Sequence, residues 1–88
     1  MAVYSIEFAH SAYRSFAKLD PLTRQRIAAR IDELTVDPRP LNSKRLVNSE
    51  ELYRIRIGSY RVIYAVEDAV LVVLVVKIGH RRDVYRQL

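Results

Sequence analysis

Hydrophobic and polar side chains alternate over Tyr53–Ile57, where tyrosine or isoleucine takes every odd position and arginine every even one. This period of two predicts a strand with one buried and one open face. A Gly-Ser pair separates it from a second run, Tyr60–Tyr64, and predicts a type II′ turn with glycine at the first central position. The turn sets the register of a hairpin in which Arg54, Arg56 and Arg61 project to the same side.

The first part of the chain predicts one strand and two helices. Alternation predicts a strand over residues 2–8, and helical spacing predicts a helix from residue 10 or 11 to about 19. Asp20 suits the N-cap and Pro21 the first turn of a second helix, which extends to about residue 36. The expected apolar positions of these helices are Tyr13, Phe16, Ala17, Ile27, Ala28, Ile31 and Leu34.

The remaining segments complete the predicted order of elements. Residues 37–40 read Asp-Pro-Arg-Pro and end the second helix, because proline cannot continue it. Residues 41–51 are predicted to form a loop. After the hairpin, the apolar run over residues 70–78 predicts a central strand, which Gly79 is expected to break.

This order predicts an α+β fold in a single domain, residues 1–88. The elements run β-α-α-β-β-β, followed by a short tail or helix. We expect a small antiparallel sheet with both N-terminal helices packed on one face. Nothing remains to cover the other face, so this open face should carry the three hairpin arginines, and the segment after Gly79 can reach it.

Charge is concentrated in the half of the chain that contains the hairpin. Lysine and arginine total 15, aspartate and glutamate 10, and the net charge is +5. Residues 1–38 carry five of each sign, so the whole excess lies in residues 39–88. A basic sheet face points to nucleic acid, an acidic protein or both, although charge of this size also serves solubility.

Composition argues against several other classes of protein. The chain has no cysteine, and its two histidines are far apart in sequence, so we expect no metal site and no cofactor. The longest apolar run, Ala69–Val76, is far shorter than the ~20 residues of a membrane span. The start of the chain lacks the features of a signal peptide. We therefore expect a cytoplasmic protein without a membrane partner.

The hairpin and the later segment Gly79-His80-Arg81-Arg82-Asp83-Val84-Tyr85-Arg86 together resemble the RelE/ParE superfamily, the toxins of type II toxin–antitoxin pairs. The resemblance spans the whole chain in element order and is closest to the RelE branch. It implies a RelE-like microbial RNase fold and ribosome-dependent, metal-free cleavage of messenger RNA. The catalytic positions that it implies are Arg54, Arg56, Arg61, Arg81 and Tyr85.

Metal-free RNA cleavage uses the ribose 2′-hydroxyl to attack the adjacent phosphorus, and arginine can neutralise the developing negative charge. Arg56 and Arg61 are assigned to the scissile phosphate and Arg81 to the leaving group. Relatives often carry lysine on the first hairpin arm, whereas arginine is a poor base at neutral pH. Tyr85 is the better candidate for the base, or it stacks on a nucleobase; His80 is the alternative.

Four further cations are candidates for RNA binding. Arg82 and Arg86 are expected to contact RNA backbone, an acidic antitoxin or water. Lys44 and Arg45, in the predicted loop, are expected either to dock ribosomal RNA or to remain solvated.

The implied partners are an acidic, RelB-like antitoxin, the ribosome with its mRNA, and operator DNA only through the antitoxin complex. The main alternative is a ParE-like inhibitor of DNA gyrase, a binding module without nuclease chemistry. A second alternative is a basic domain that binds nucleic acid without catalysis. That reading predicts weaker, less salt-dependent binding for Arg81→Ala, whereas the nuclease reading predicts loss of cleavage with docking retained.

Overall fold

The computed structural model describes residues 3–46 and 51–80 and contains two helices and five strands in that part of the chain. The order of the elements confirms the predicted α+β class. Their bounds are β1 Ser5–Phe8, α1 His10–Ala17, α2 Pro21–Glu33, β2 Lys44–Arg45, β3 Leu52–Ile57, β4 Tyr60–Glu67 and β5 Val72–His80.

The sheet is mixed, with strand order β1-β5-β4-β3-β2. Strands β3, β4 and β5 pair antiparallel, as predicted, and β2 also pairs antiparallel with β3, but β1 pairs parallel with β5. Parallel pairing needs a long connection between the two strands, and the helices and the hairpin supply it here. The prediction of a wholly antiparallel sheet was therefore wrong for β1. The prediction that β5 is central is confirmed, because it lies between β1 and β4.

The hairpin formed by β3 and β4 has the predicted register. Ile57 pairs with Tyr60, Arg56 with Arg61, and Ile55 with Val62. Gly58 has a φ of 60°, and Ser59 stays outside the left-handed region, as a type II′ turn requires.

Helix α2 begins as the sequence predicts. The Asp20 side chain accepts a hydrogen bond from the backbone N–H of Thr23 at 3.1 Å, and Pro21 follows the cap. The helix ends at Glu33, three residues before the predicted end, and Leu34 is its C-cap. Neither helix in the described part of the chain is long and apolar enough to cross a bilayer.

The core lies between the helices and one face of the sheet. Buried helix side chains pack against buried strand side chains of β3, β4 and β5; the helix members are Ala12, Ile27, Ile31 and Leu34. Three predicted core positions are instead exposed: Tyr13, Ala17 and Ala28. Helix α1 turns Ala12 and Phe16 towards the sheet, so the neighbouring stripe of Tyr13 and Ala17 faces outwards.

A cluster of polar side chains connects segments distant in sequence at the end of the sheet opposite the Gly-Ser turn. Arg39 donates to both carboxylate oxygens of Asp68, at 2.8 and 3.2 Å, and its Nε donates to the Tyr53 hydroxyl at 2.9 Å. The Tyr4 hydroxyl donates to the same carboxylate at 2.6 Å. The hydrogen bonds from Arg39 and Tyr4 lower the pKa of Asp68 to about 2. This cluster holds the segment that leads into β2.

Candidate nucleic-acid interface

The face of the sheet turned away from the helices carries cations from four strands. On β3, Tyr53, Ile55 and Ile57 belong to the core, so Arg54 and Arg56 between them project to the opposite side. Strand pairing adds further cations to this side. We call it the cationic face, defined by Lys44, Arg54, Arg56, Arg61 and Lys77. The prediction that three hairpin arginines share one side is confirmed.

Register arranges the cationic face in two rows that run across the strands. In the first row, Lys44 pairs with Arg54, Arg54 with Ile63, and Ile63 with Lys77. The second row consists of Arg56, Arg61 and Gly79. Because Gly79 lies directly opposite Arg61, β5 places no side chain beside the Arg61 guanidinium at that position.

Among the described residues, Arg61 is the one charged residue that is buried, and 7% of its surface is exposed. Its Nε and Nη1 atoms are buried, and no acceptor from the described residues bonds to them. Buried donors are almost always satisfied in folded proteins, because leaving one unsatisfied costs about 1–3 kcal/mol. These two donors therefore mark a position where an anionic ligand binds favourably.

A shallow cleft of about 110 Å³ lies on the same face between β2 and β3. Its lining consists of Asn42, Lys44, Arg54 and Arg56, that is, three cations and one neutral amide. Such a lining fits phosphate oxygens, since guanidinium and ammonium groups supply charge and the amide supplies a neutral donor. Within residues 3–46 and 51–80, no group of three or more His, Cys, Asp or Glu side chains is arranged so that it could hold a metal ion.

The predicted loop around Lys44 and Arg45 is instead a short strand, so that prediction was wrong. Lys44 pairs with Arg54 and joins the cationic face, whereas Arg45 pairs with Tyr53 on the other side of the sheet. The Arg45 guanidinium lies 5.9 Å from the centre of the Tyr53 ring. A two-residue strand is too short to leave a periodic pattern, and pairing with β3 is what separates these two neighbours.

His80 lies on the opposite side of the sheet from Arg61. The prediction that Gly79 breaks the last strand was wrong. Strand β5 continues through Gly79 to His80, because Gly79 pairs with Arg61 and His80 with Tyr60. The rings of Tyr60 and His80 meet edge to face with centroids 5.9 Å apart. Since Tyr60 packs against the core, the pairing gives His80 a structural contact away from the cationic face.

Four predicted site residues, Arg81, Arg82, Tyr85 and Arg86, lie outside the described residues, and their roles stay predictions. Strand β5, the last described element, ends at His80, one residue past the partner of Arg61.

Sequence reasoning missed Lys77 and Asn42. Strict alternation groups Lys77 with Val73 and Val75, which are buried in the core. The signal that could have found it is chemical, because Lys77 is the single charged side chain in β5 apart from the terminal His80. Asn42 carried no sequence signal of its own and reaches the cleft only through the path of the segment before β2.

Comparisons with known proteins agree with this fold. Residues 6–85 match the family described as the ParE toxin of the type II toxin–antitoxin system, parDE. The chain is 28% identical over 88 residues to the mRNA interferase toxin RelE of Escherichia coli, covering 96% of this chain and 92% of that one.

Two solved structures show the same architecture. The toxin in the intact E. coli RelBE toxin–antitoxin complex superimposes with a TM-score of 0.79 at 29% identity, covering 88% of this chain and 95% of that one. The archaeal RelE–RelB complex from Pyrococcus horikoshii gives a TM-score of 0.79 at 26% identity, covering 94% and 99%. Together with the family match over residues 6–85, this establishes that the chain belongs to the ParE toxin family, the toxins of type II toxin–antitoxin systems.

Proposed function

We propose that this toxin is a ribosome-dependent mRNA endoribonuclease of the RelE type, acting without metal or cofactor. The observation that carries the proposal is Arg61, whose buried guanidinium donors lie at the centre of a face lined by four other cations. A phosphate group satisfies those donors and offsets the repulsion between Arg56 and Arg61, which pair directly. The RelE identity of a relative matched over most of its length supports the same activity.

In this proposal Arg56 and Arg61 hold the scissile phosphate and stabilise its additional negative charge in the transition state. Removing one preorganised donor of this kind typically costs about 3–4 kcal/mol, or about 10²–10³ in rate. Arg81 is proposed to stabilise the departing 5′-oxygen. Arg81 directly follows His80, the last residue of β5, and Gly79 just before it pairs with Arg61, which supports this assignment.

Removal of the 2′-proton requires a different group from the hairpin arginines. An arginine side chain keeps its proton at neutral pH, so neither Arg54 nor Arg56 can act as the base. The ring of His80 faces the other side of the sheet, against Tyr60. We therefore assign the base to Tyr85, as the sequence predicts, with stacking on a nucleobase as its other possible role.

The ribosome contributes the position of the substrate. The cationic face supplies charge, but a single RNA strand is flexible, and orienting the 2′-hydroxyl in line with the scissile bond can lower the barrier by several kcal/mol. We accordingly place the protein in the cytoplasm with translating ribosomes. Efficient cutting of the same sites in free RNA would contradict this part of the proposal.

An acidic antitoxin is the proposed regulatory partner. The E. coli and P. horikoshii relatives were solved in complex with RelB antitoxins. A sheet face with five cations suits a partly disordered acidic chain that folds as it binds. We propose that operator DNA is bound by the complex, mainly through the antitoxin.

A gyrase-inhibiting function is the competing candidate, because the matched family carries the ParE name. The cationic face favours the nuclease, since inhibition by binding alone does not require a buried guanidinium with two unsatisfied donors. The RelE relatives favour it as well.

The test is expression in cells followed by primer extension on translated and untranslated copies of one message. We expect cuts only in the translated copy, and we expect Arg61→Ala, Arg81→Ala and Tyr85→Phe to abolish them. Arg14→Ala, on the exposed side of α1, is the matched control and should cut like the wild type. Growth arrest with intact message would overturn the nuclease proposal and direct attention to gyrase.

A further inference from the structure

We propose that Lys77 binds the RNA phosphate adjacent to the scissile one, and that the RNA backbone crosses the strands instead of running along them. The inference rests on the proposed nuclease function and adds a substrate-binding residue that the sequence prediction did not contain. It is carried by a β-bulge in β5 and by the register around Arg61.

The bulge determines which face Lys77 occupies. Tyr64 pairs with Val75, but the next residue back on β4, Ile63, pairs with Lys77, so Val76 is an extra residue on β5. Before the bulge, Val73 and Val75 face the core, and after it Ile78 does. Without the extra residue, alternation would direct Lys77 into the core. The bulge turns it to the cationic face instead, a use of bulges that is common beside active sites.

Register then places Arg61 at one corner of a triangle of three cations. Arg61 pairs with Arg56 on one side and Gly79 on the other, so Arg54 and Lys77 are its diagonal neighbours on β3 and β5. Diagonal neighbours across paired strands lie about 7–8 Å apart, within reach of long side chains. A phosphate held by Arg61 therefore has Arg54 on the β3 side and Lys77 on the β5 side, each one row away.

The environment of Lys77 fits a ligand contact better than a packing role. Lys77 is half-buried and pairs with Ile63, which is fully buried. Its stem can cover Ile63 while its ammonium group reaches the surface. Its ammonium group lies one row from the buried Arg61, so an anion bound at Arg61 is within its reach.

The first row of the cationic face extends to β2, and its length sets the length of the RNA contact. Lys44 and Lys77 occupy opposite ends of the first row, three strand spacings apart, which is about 14 Å. A path across the strands lets a short stretch of backbone contact Lys77, Arg61 and the cleft between β2 and β3 in succession. We therefore expect the substrate to be a single RNA strand that the toxin binds through phosphates on both sides of the cut.

The experiment uses the full-length toxin and ribosomes programmed with a synthetic mRNA. Lys77→Met keeps the aliphatic stem and removes the charge, Lys77→Arg restores a charge, and Lys18→Met, at the exposed C-cap of α1, is the matched control. We expect Lys77→Met to raise KM roughly tenfold or more, with a smaller change in kcat, and Lys77→Arg to recover most of the loss.

A neutral methylphosphonate at single positions around the cut then locates the contact. At one flanking position, the methylphosphonate should slow cleavage by the wild type but hardly change cleavage by Lys77→Met. The two changes are then not additive, because both remove the same interaction. The inference is overturned if Lys77→Met cleaves like the wild type, if both Lys77 variants lose activity and thermal stability together, or if only antitoxin binding weakens. A wild type that cleaves no ribosome-bound mRNA would instead overturn the proposed function itself.

Discussion

The two faces of β3 come from one alternating stretch of sequence, yet different forces determine them. On the core face, Ile55 is 1% exposed and packs with helix side chains, so its contribution is the removal of apolar surface from water. On the cationic face, Arg54 and Arg56 lie beside Arg61, and like charges on paired strands are unfavourable. The comparison shows that one face stabilises the fold while the other retains unfavourable interactions that a ligand can relieve.

The largest predicted difference comes from changing neighbouring residues on the two faces. Ile55→Ala should lower the free energy of unfolding by about 2–5 kcal/mol, because it leaves a cavity between sheet and helices. Arg56→Ala, at the exposed next position of the strand, should change it by less than about 0.5 kcal/mol. Urea unfolding of the two variants measures the contrast. Equal losses would mean that the cationic face also supports the fold.

A smaller effect of opposite sign is expected at Arg56. Arg56→Thr removes the like charge opposite Arg61 and introduces a residue that favours strands. We expect the free energy of unfolding to rise by about 0.2–1 kcal/mol while cleavage of ribosome-bound mRNA falls. Lys18→Met serves as the control for simple loss of positive charge. A variant that is both less stable and fully active would contradict the division between the two faces.

The smallest effect concerns Arg39, a cation whose carboxylate partner the structure shows. Arg39 pairs with Asp68, whose pKa is lowered to about 2, chiefly by that hydrogen bond. Because folding lowers the pKa of Asp68, the ion pair stabilises the fold fully above the ordinary carboxyl pKa of about 4. This contribution is lost as the pH falls towards about 2 and Asp68 takes up a proton. The Asp68→Asn variant should lack this part of the acid dependence. Thermal unfolding between these two pH values measures it, and an unchanged profile would argue against the pair.

Local chemistry was sufficient for much of the fold and for the centre of the site. The Gly-Ser turn, the alternation of β3 and the Asp20 cap depend on residues close in sequence, and the structure has all three as predicted. The side-by-side placement of Arg54, Arg56 and Arg61 follows from these local rules, because a two-residue turn leaves only one register.

Long-range packing decided the rest. Three features depend on partners distant in sequence: the parallel pairing of β1, the two-residue strand β2 and the outward position of Tyr13. The bulge at Val76 is the most consequential case, since one extra residue transfers Lys77 from the core side to the cationic face. By itself the sequence determined the hairpin, its register and its charge. Only the tertiary structure decided which other cations join that face, because each strand's orientation is set by the strand that it pairs with.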